Sequence, residues 1–197
     1  MSPEFIVLAL GAALILDVRT SRVVVAYVIL AAWVAALALP SALGSPVTLA
    51  LFVLSFGMKL VVAPLGIWFF TQRNPAARDL RPAINLPLRL VLVLALAFVS
   101  QGVTPLRLVD LATYLVLCGL TVLIVQRNLL AALIGLLVLG LGATLTGVAL
   151  APQLPASIEL GAAFDALIVT FIGLGLVRAF LAHDATLDVS SLRRLRG

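Results

Sequence analysis

Seven apolar runs, each close to the ~20 residues that a hydrocarbon core demands, divide the chain at roughly 3–17, 22–40, 47–70, 84–101, 108–125, 128–150 and 157–180. In lipid every backbone amide and carbonyl must be satisfied within the protein, so runs of this length are helices. The expected fold is therefore an all-α polytopic membrane bundle of about seven transmembrane helices. It occupies residues 1–180, followed by a basic tail at 181–197 that suits a short interfacial helix, with Asp188 as a candidate cap. Hydrophobic residues make up 63% of the chain and charged residues only 11%, which excludes an ordinary soluble domain. Pro40, Pro46, Pro75, Pro82, Pro105, Pro152 and Pro155 fall between the runs, where a missing amide does least damage. The connections are short, so consecutive helices are expected to be antiparallel neighbours.

Arginine placement sets the orientation. With seven spans and the N-terminus outside, one side receives Arg19, Arg22, Arg73, Arg78, Arg81, Arg89, Arg127, Arg178, Arg193, Arg194 and Arg196, and the other only Arg107. The positive-inside rule then predicts N-out and C-in. The formal charge of +5 is thus a matter of topology and does not point to nucleic acid. The first run follows Glu4 with no basic segment before it, so it reads as a retained helix and not as a cleaved signal. The one cysteine, Cys118, lies in an apolar run and the one histidine, His183, beyond the last. Disulfides, structural zinc and iron–sulfur ligation are not expected of this chain, and no phosphate-binding or dinucleotide-binding glycine motif occurs.

Two intramembrane charges stand out, because an ionisable group at that depth is costly and marks function. Lys59 lies near the middle of the third run, with Pro64 five residues on. Pro64 has no amide hydrogen for the carbonyl of Leu60, so a break in the helix is expected one residue beyond the lysine. Asp165 lies two turns into the seventh run, and Glu159 sits at its outer start. At 1.5 Å per residue, Asp165 is about 10 Å deep and Lys59 about 18 Å, with Gly140 of the sixth run level with Asp165. A lysine stem nearly spans that difference, directly or through water. In the sixth run Ala131 and Gly135, then Ala143 and Gly147, are small residues four apart, with Gly140 and Gly142 between; close helix packing is the expected reason.

Four stretches, in order, resemble component E of hydrogenase-4 and formate-hydrogenlyase-like complexes. They are Ser55 to Pro64, Gln126 to Gly135, Ile158 to Asp165 and Thr186 to Gly197. That family is related to the small K-like subunit of complex I and the C-like subunit of multisubunit cation/proton antiporters. The resemblance implies a non-redox membrane subunit of a proton- or ion-translocating complex in a bacterial or archaeal cytoplasmic membrane. Its implied partners are antiporter-like membrane subunits and a peripheral catalytic arm, and any NiFe or iron–sulfur centres would belong to partner subunits. The family's intramembrane lysine matches Lys59, its last-helix acids match Glu159 and Asp165, and its pair at the end of the loop matches Arg127 and Asn128. The terminal Arg193 and Arg194 belong to the matching tail. One element departs: where the family's sixth helix carries a Glu-Asn-Gly motif, this chain reads Leu139-Gly140-Leu141-Gly142.

The reading these residues favour is a linking subunit with Lys59 and Asp165 as candidates for an intramembrane relay. The alternative is a small stand-alone secondary transporter binding its substrate at the helix broken by Pro64, although no repeat between halves is detectable. A membrane enzyme is disfavoured, since no nucleophile–base pair or metal set is present.

Overall fold

A computed structural model describes residues 3–74, 82–100, 107–150 and 156–184. They form α1 (Pro3–Leu16), α2 (Thr20–Ala42), α3 (Pro46–Gly57), a π-helical turn (Met58–Val62), α4 (Ala63–Arg73), α5 (Leu86–Ser100), α6 (Arg107–Val125), α7 (Leu129–Leu150) and α8 (Ala156–Asp184). Among the described residues there is no strand, and the sheet-like pairing is confined to isolated bridge residues such as Pro82 and Gln126. The chain is an all-α polytopic membrane protein. α3, the π turn and α4 run on as one 28-residue span, so seven helical rods correspond to the seven apolar runs.

Among the described residues, five of the seven rods are long and apolar enough to cross by themselves. α1 and α5 have 14 and 15 residues, about 21–23 Å of helix against a core of ~30 Å. α1 stops because the Asp17 carboxylate turns the chain, its Oδ1 accepting from the amides of Val18 at 2.8 Å and Arg19 at 3.1 Å. Pro40, expected between runs, lies inside α2. It withholds an amide from the carbonyl of Ala36, and the helix ends two residues later. α8 continues to Asp184, past the expected end at 180.

The two short helices are held by side chains from longer neighbours. The buried Tyr114 hydroxyl of α6 donates to the carbonyl of Leu8 at 2.9 Å. Arg89 of α5, also buried, donates through Nη1 to the carbonyls of Leu16 at 2.9 Å and Ile15 at 3.4 Å. A cation thus satisfies the orphan carbonyls at the C-terminus of α1, where the helix dipole favours it. Ser45 caps α3, its Oγ accepting from the Thr48 amide at 3.2 Å ahead of Pro46 in the first turn.

The densest packing is between α6 and α7. A Cβ on Gly119 would lie 2.7 Å from the carbonyl oxygen of Gly135, and one on Gly142 would lie 2.8 Å from the amide of Val116. Backbone meets backbone there, which only glycine permits. Of the small residues expected to mediate packing in α7, Gly135 and Gly142 face α6, whereas Gly140 points elsewhere. Cys118 is buried on the inner side of α6, beside Gly11 of α1.

The Arg89 bonds bring the start of α5 to the end of α1. The Ala83 amide, donating to the Val125 carbonyl at 2.7 Å, ties the approach to α5 to the end of α6. Arg73 and Arg178 line one groove where α4 and α8 end. One end of the bundle therefore gathers these arginines, as an alternating path through the membrane requires.

Candidate functional site

The α-helix of the third span gives way to a wider turn where the lysine sits. Beyond Gly57 the backbone widens into the π turn Met58–Val62, and the amide of Ala63 donates back to the carbonyl of Met58, five residues earlier. Pro64 follows at once, in the first turn of α4. A proline cannot supply the i→i−4 bond to Leu60, and the wider ladder absorbs that missing donor without ending the helix. Where a break is expected, the helix runs on through a single π turn that contains Lys59.

Lys59 is only 3% exposed. Its Nζ donates to the Thr144 hydroxyl of α7 at 2.7 Å and stands 5.3 Å from the centroid of the Phe56 ring. Phe56 in turn packs against Phe52, with ring centroids 4.6 Å apart. Ring and hydroxyl together replace part of the hydration an ammonium loses at this depth. The Thr144 hydroxyl passes the chain onward, donating to the carbonyl of Gly140 one turn earlier at 2.8 Å.

Gly140 is also where the last helix arrives. A Cβ built on it would lie 3.7 Å from Oδ2 of Asp165, so the carboxylate occupies the level that the helical rise predicts. The third and seventh rods are in contact, α8 packing against α3, the π turn and α4 as well as α7. Lys59 and Asp165 do not form a direct ion pair; Thr144 takes the ammonium, and the carboxylate acts on it only through space. Asp165 is exposed on the surface of the bundle, flanked by the exposed Phe164 and Ile168. Lys59, Thr144 and the Gly140 carbonyl thus form one hydrogen-bonded chain, and Asp165 lies against Gly140 from the rim without a hydrogen bond to that chain among the described residues.

The other sequence candidates lie apart from this cluster. Arg127 is exposed at the arginine-rich end. Asn128 beside it is buried and starts α7, its Oδ1 accepting from the Leu130 amide at 2.8 Å. Next to them Gln126 is buried with neither atom of its side-chain amide hydrogen-bonded among the described residues. Arg193 and Arg194 fall outside the described residues, as does the side chain of Glu159, although its backbone belongs to α8.

Sequence reasoning missed Thr144 and the buried Ser55, whose hydroxyl has no partner among the described residues and lies one turn before Lys59. A threonine four residues after Gly140 is the one signal, since such a hydroxyl bonds back to the preceding turn. Which helix it also meets depends on the rotation of α7, which no local pattern reveals.

Comparison with known proteins identifies the family. The family described as NADH-ubiquinone/plastoquinone oxidoreductase chain 4L matches residues 108–197, which takes in α6, α7 and α8. Hydrogenase-4 component E of Escherichia coli K12 is 31% identical over 156 residues, covering 73% of this chain and 71% of that protein. The proteins of the same description from Escherichia coli O157:H7 and Shigella flexneri match to the same extent. No solved structure matches.

Proposed function

The chain belongs to the hydrogenase-4 component E family, and on that premise we propose that it is a non-redox linking subunit of a proton- or ion-translocating assembly, in which Lys59 and Asp165 serve an intramembrane relay. The family makes it a multi-pass subunit of a complex-I-like membrane oxidoreductase. In this reading its neighbours are antiporter-like membrane subunits and a peripheral catalytic arm that carries the redox centres, and the chain itself binds none. The membrane is the bacterial or archaeal cytoplasmic membrane, with the arginine-rich end inside.

The observation that carries the relay is the buried lysine in a π turn, joined through the Thr144 hydroxyl to the carbonyl of Gly140, the residue that Asp165 lies against. An ammonium desolvated at that depth changes its proton affinity whenever a nearby carboxylate gains or loses charge. A relay site needs that coupling. The carboxylate missing from the sixth helix at Gly140 is not replaced on α7; the nearest acid to that place is Asp165, from α8.

Asp165→Asn and Lys59→Met, each in the whole complex reconstituted into vesicles, test the proposal. Proton pumping should fall by roughly a hundredfold, at the low end of what a positioned acid–base group contributes, with subunit assembly near normal. If both variants pump at wild-type rates the relay is wrong. If instead either single variant fails to assemble and the double variant recovers, the two residues hold helices together.

The π-broken third span also suits a stand-alone transporter, whose sites form at interrupted helices. Purification in mild detergent separates the readings. The linking subunit co-purifies with other membrane subunits, whereas the transporter emerges alone or as a homodimer.

A further inference from the structure

At the arginine-rich end, α4 and α8 part to leave a cavity of about 500 Å³ that the relay does not use. Its floor is closed where Gly66 admits Leu174: a Cβ on Gly66 would lie 2.9 Å from a Leu174 methyl. Phe69, Phe70 and Leu181 form further apolar lining. Arg73 and Arg178 lie at the other end, about 10 Å and 6 Å further along their helices than Gly66 and Leu174. The Arg73 guanidinium stacks on Phe69, 4.1 Å from the ring centroid, which holds the charge over the opening. Both arginines are exposed, and among the described residues neither meets a carboxylate.

We infer that this groove binds one anionic phospholipid, its phosphate between Arg73 and Arg178 and an acyl chain along Phe70 and Leu174. Two guanidiniums that meet no carboxylate among the described residues, at the headgroup level of the positive side, complement a phosphate, and a basic pocket between transmembrane helices on that side is a lipid-headgroup site in kind. The apolar floor beneath them asks for a hydrocarbon chain, which a free anion lacks. A protein helix laid there would have to carry an acid opposite both arginines.

The test uses the complex purified in mild detergent and stripped of lipid. Phosphatidylglycerol, phosphatidylcholine with the same chains, and inorganic phosphate are each added back, and bound lipid is counted by native mass spectrometry. One equivalent of phosphatidylglycerol should be retained, and phosphate should not displace it. Retention should weaken roughly fivefold in Arg73→Gln or Arg178→Gln and roughly 30-fold in the double variant, at the worth of one basic residue each near a charged surface. Ala182→Trp, an exposed change that fills the groove and leaves both charges, should abolish it too. Equal binding of phosphatidylcholine would mean that the arginines do not read the headgroup. Displacement by phosphate would make this a simple anion site, and unchanged retention in Ala182→Trp would place the lipid elsewhere. Crosslinking from residue 182 to a co-purifying subunit, with no lipid retained, would make the groove a protein interface. Each of these four results overturns the inference, and none depends on whether Lys59 and Asp165 conduct.

Discussion

α7 and α8 are consecutive apolar helices of the same family match, yet they are built for opposite surroundings. In α7, 56% of the most apolar window is buried within the chain, and glycines let its backbone lie directly on that of α6. In α8 the figure is 17%, and Phe164, Asp165, Ile168, Phe171, Ile172 and Leu176 all face outward. The α6–α7 pair is the most closely packed of the bundle. α8 is a helix laid on the outside, with an acid on its rim that lipid would penalise and a subunit or water-lined path would not. The broken third span mediates between them: Lys59 reaches inward to α7, while the helices on either side of its π turn touch α8. Stability is thus concentrated in one pair, and the chemically committed groups sit where that pair meets a loosely covered neighbour.

Breaking the closed side gives the largest effect. Gly119→Ala places a methyl 2.7 Å from the Gly135 carbonyl oxygen and 2.8 Å from the Leu139 amide, neither of which is a flexible side chain. Separating α6 from α7 should cost about 3 kcal/mol, at the upper end of overpacking penalties. A clear fall in the melting temperature of the purified protein is expected. Gly175→Ala in α8, where nothing lies within 4 Å, is the control and should be silent.

A smaller loss follows from cutting the link between the two sides. Thr144→Val removes the acceptor for the buried ammonium, at about 1.5–3 kcal/mol for a hydrogen bond to a charged group. Thr144→Ser should restore both stability and pumping, because the hydroxyl and not the methyl is what Lys59 uses. Pro64→Ala works in the other direction. A restored amide can bond to the Leu60 carbonyl, annealing the π turn to regular helix and gaining about 1 kcal/mol. Annealing turns Lys59 relative to α4, so the variant should be as stable as the parent or more so and should pump poorly. A stable, fully active Pro64→Ala would show that the π turn is a packing detail.

How much of this was legible beforehand follows from where each constraint resides. The membrane dictates span length and number, so the seven rods, the arginine-rich end and the disturbed helix at Pro64 could be read from hydropathy and covalent chemistry alone. The fixed helical rise likewise put Gly140 level with Asp165. The shortness of the first run is also visible in the sequence, and Asp17, whose side chain turns the chain, fixes where α1 ends. Pro40 misled, since a helix about to end tolerates a proline that its middle would not. Thr144 could not have been found, and neither could the division of labour among the glycines of α7. Both depend on how far α7 is rotated about its own axis, and an apolar helix with small residues on several faces leaves that angle to its neighbours.

That rotation can be tested by the smallest effect expected here. Gly140 and Gly142 are two residues apart in one helix, and a two-residue step turns the helix by about 200°, so they address opposite neighbours. On Gly142 a Cβ would lie 2.8 Å from both the amide and a methyl of Val116; on Gly140 it would lie 3.7 Å from Asp165 Oδ2, an ordinary van der Waals contact. Gly142→Ala should therefore cost about as much as Gly119→Ala, whereas Gly140→Ala should change stability by less than about 0.5 kcal/mol, as at an unencumbered position. Helix propensity favours alanine over glycine by up to ~1 kcal/mol, so any residual change at 140 should be stabilising. Pumping should survive, because the methyl touches the carboxylate without displacing it and leaves the Gly140 carbonyl free to accept from Thr144. Equal destabilisation of the two variants would mean that α7 is turned differently, and with it the meeting of Thr144 and Asp165 at Gly140 would be lost.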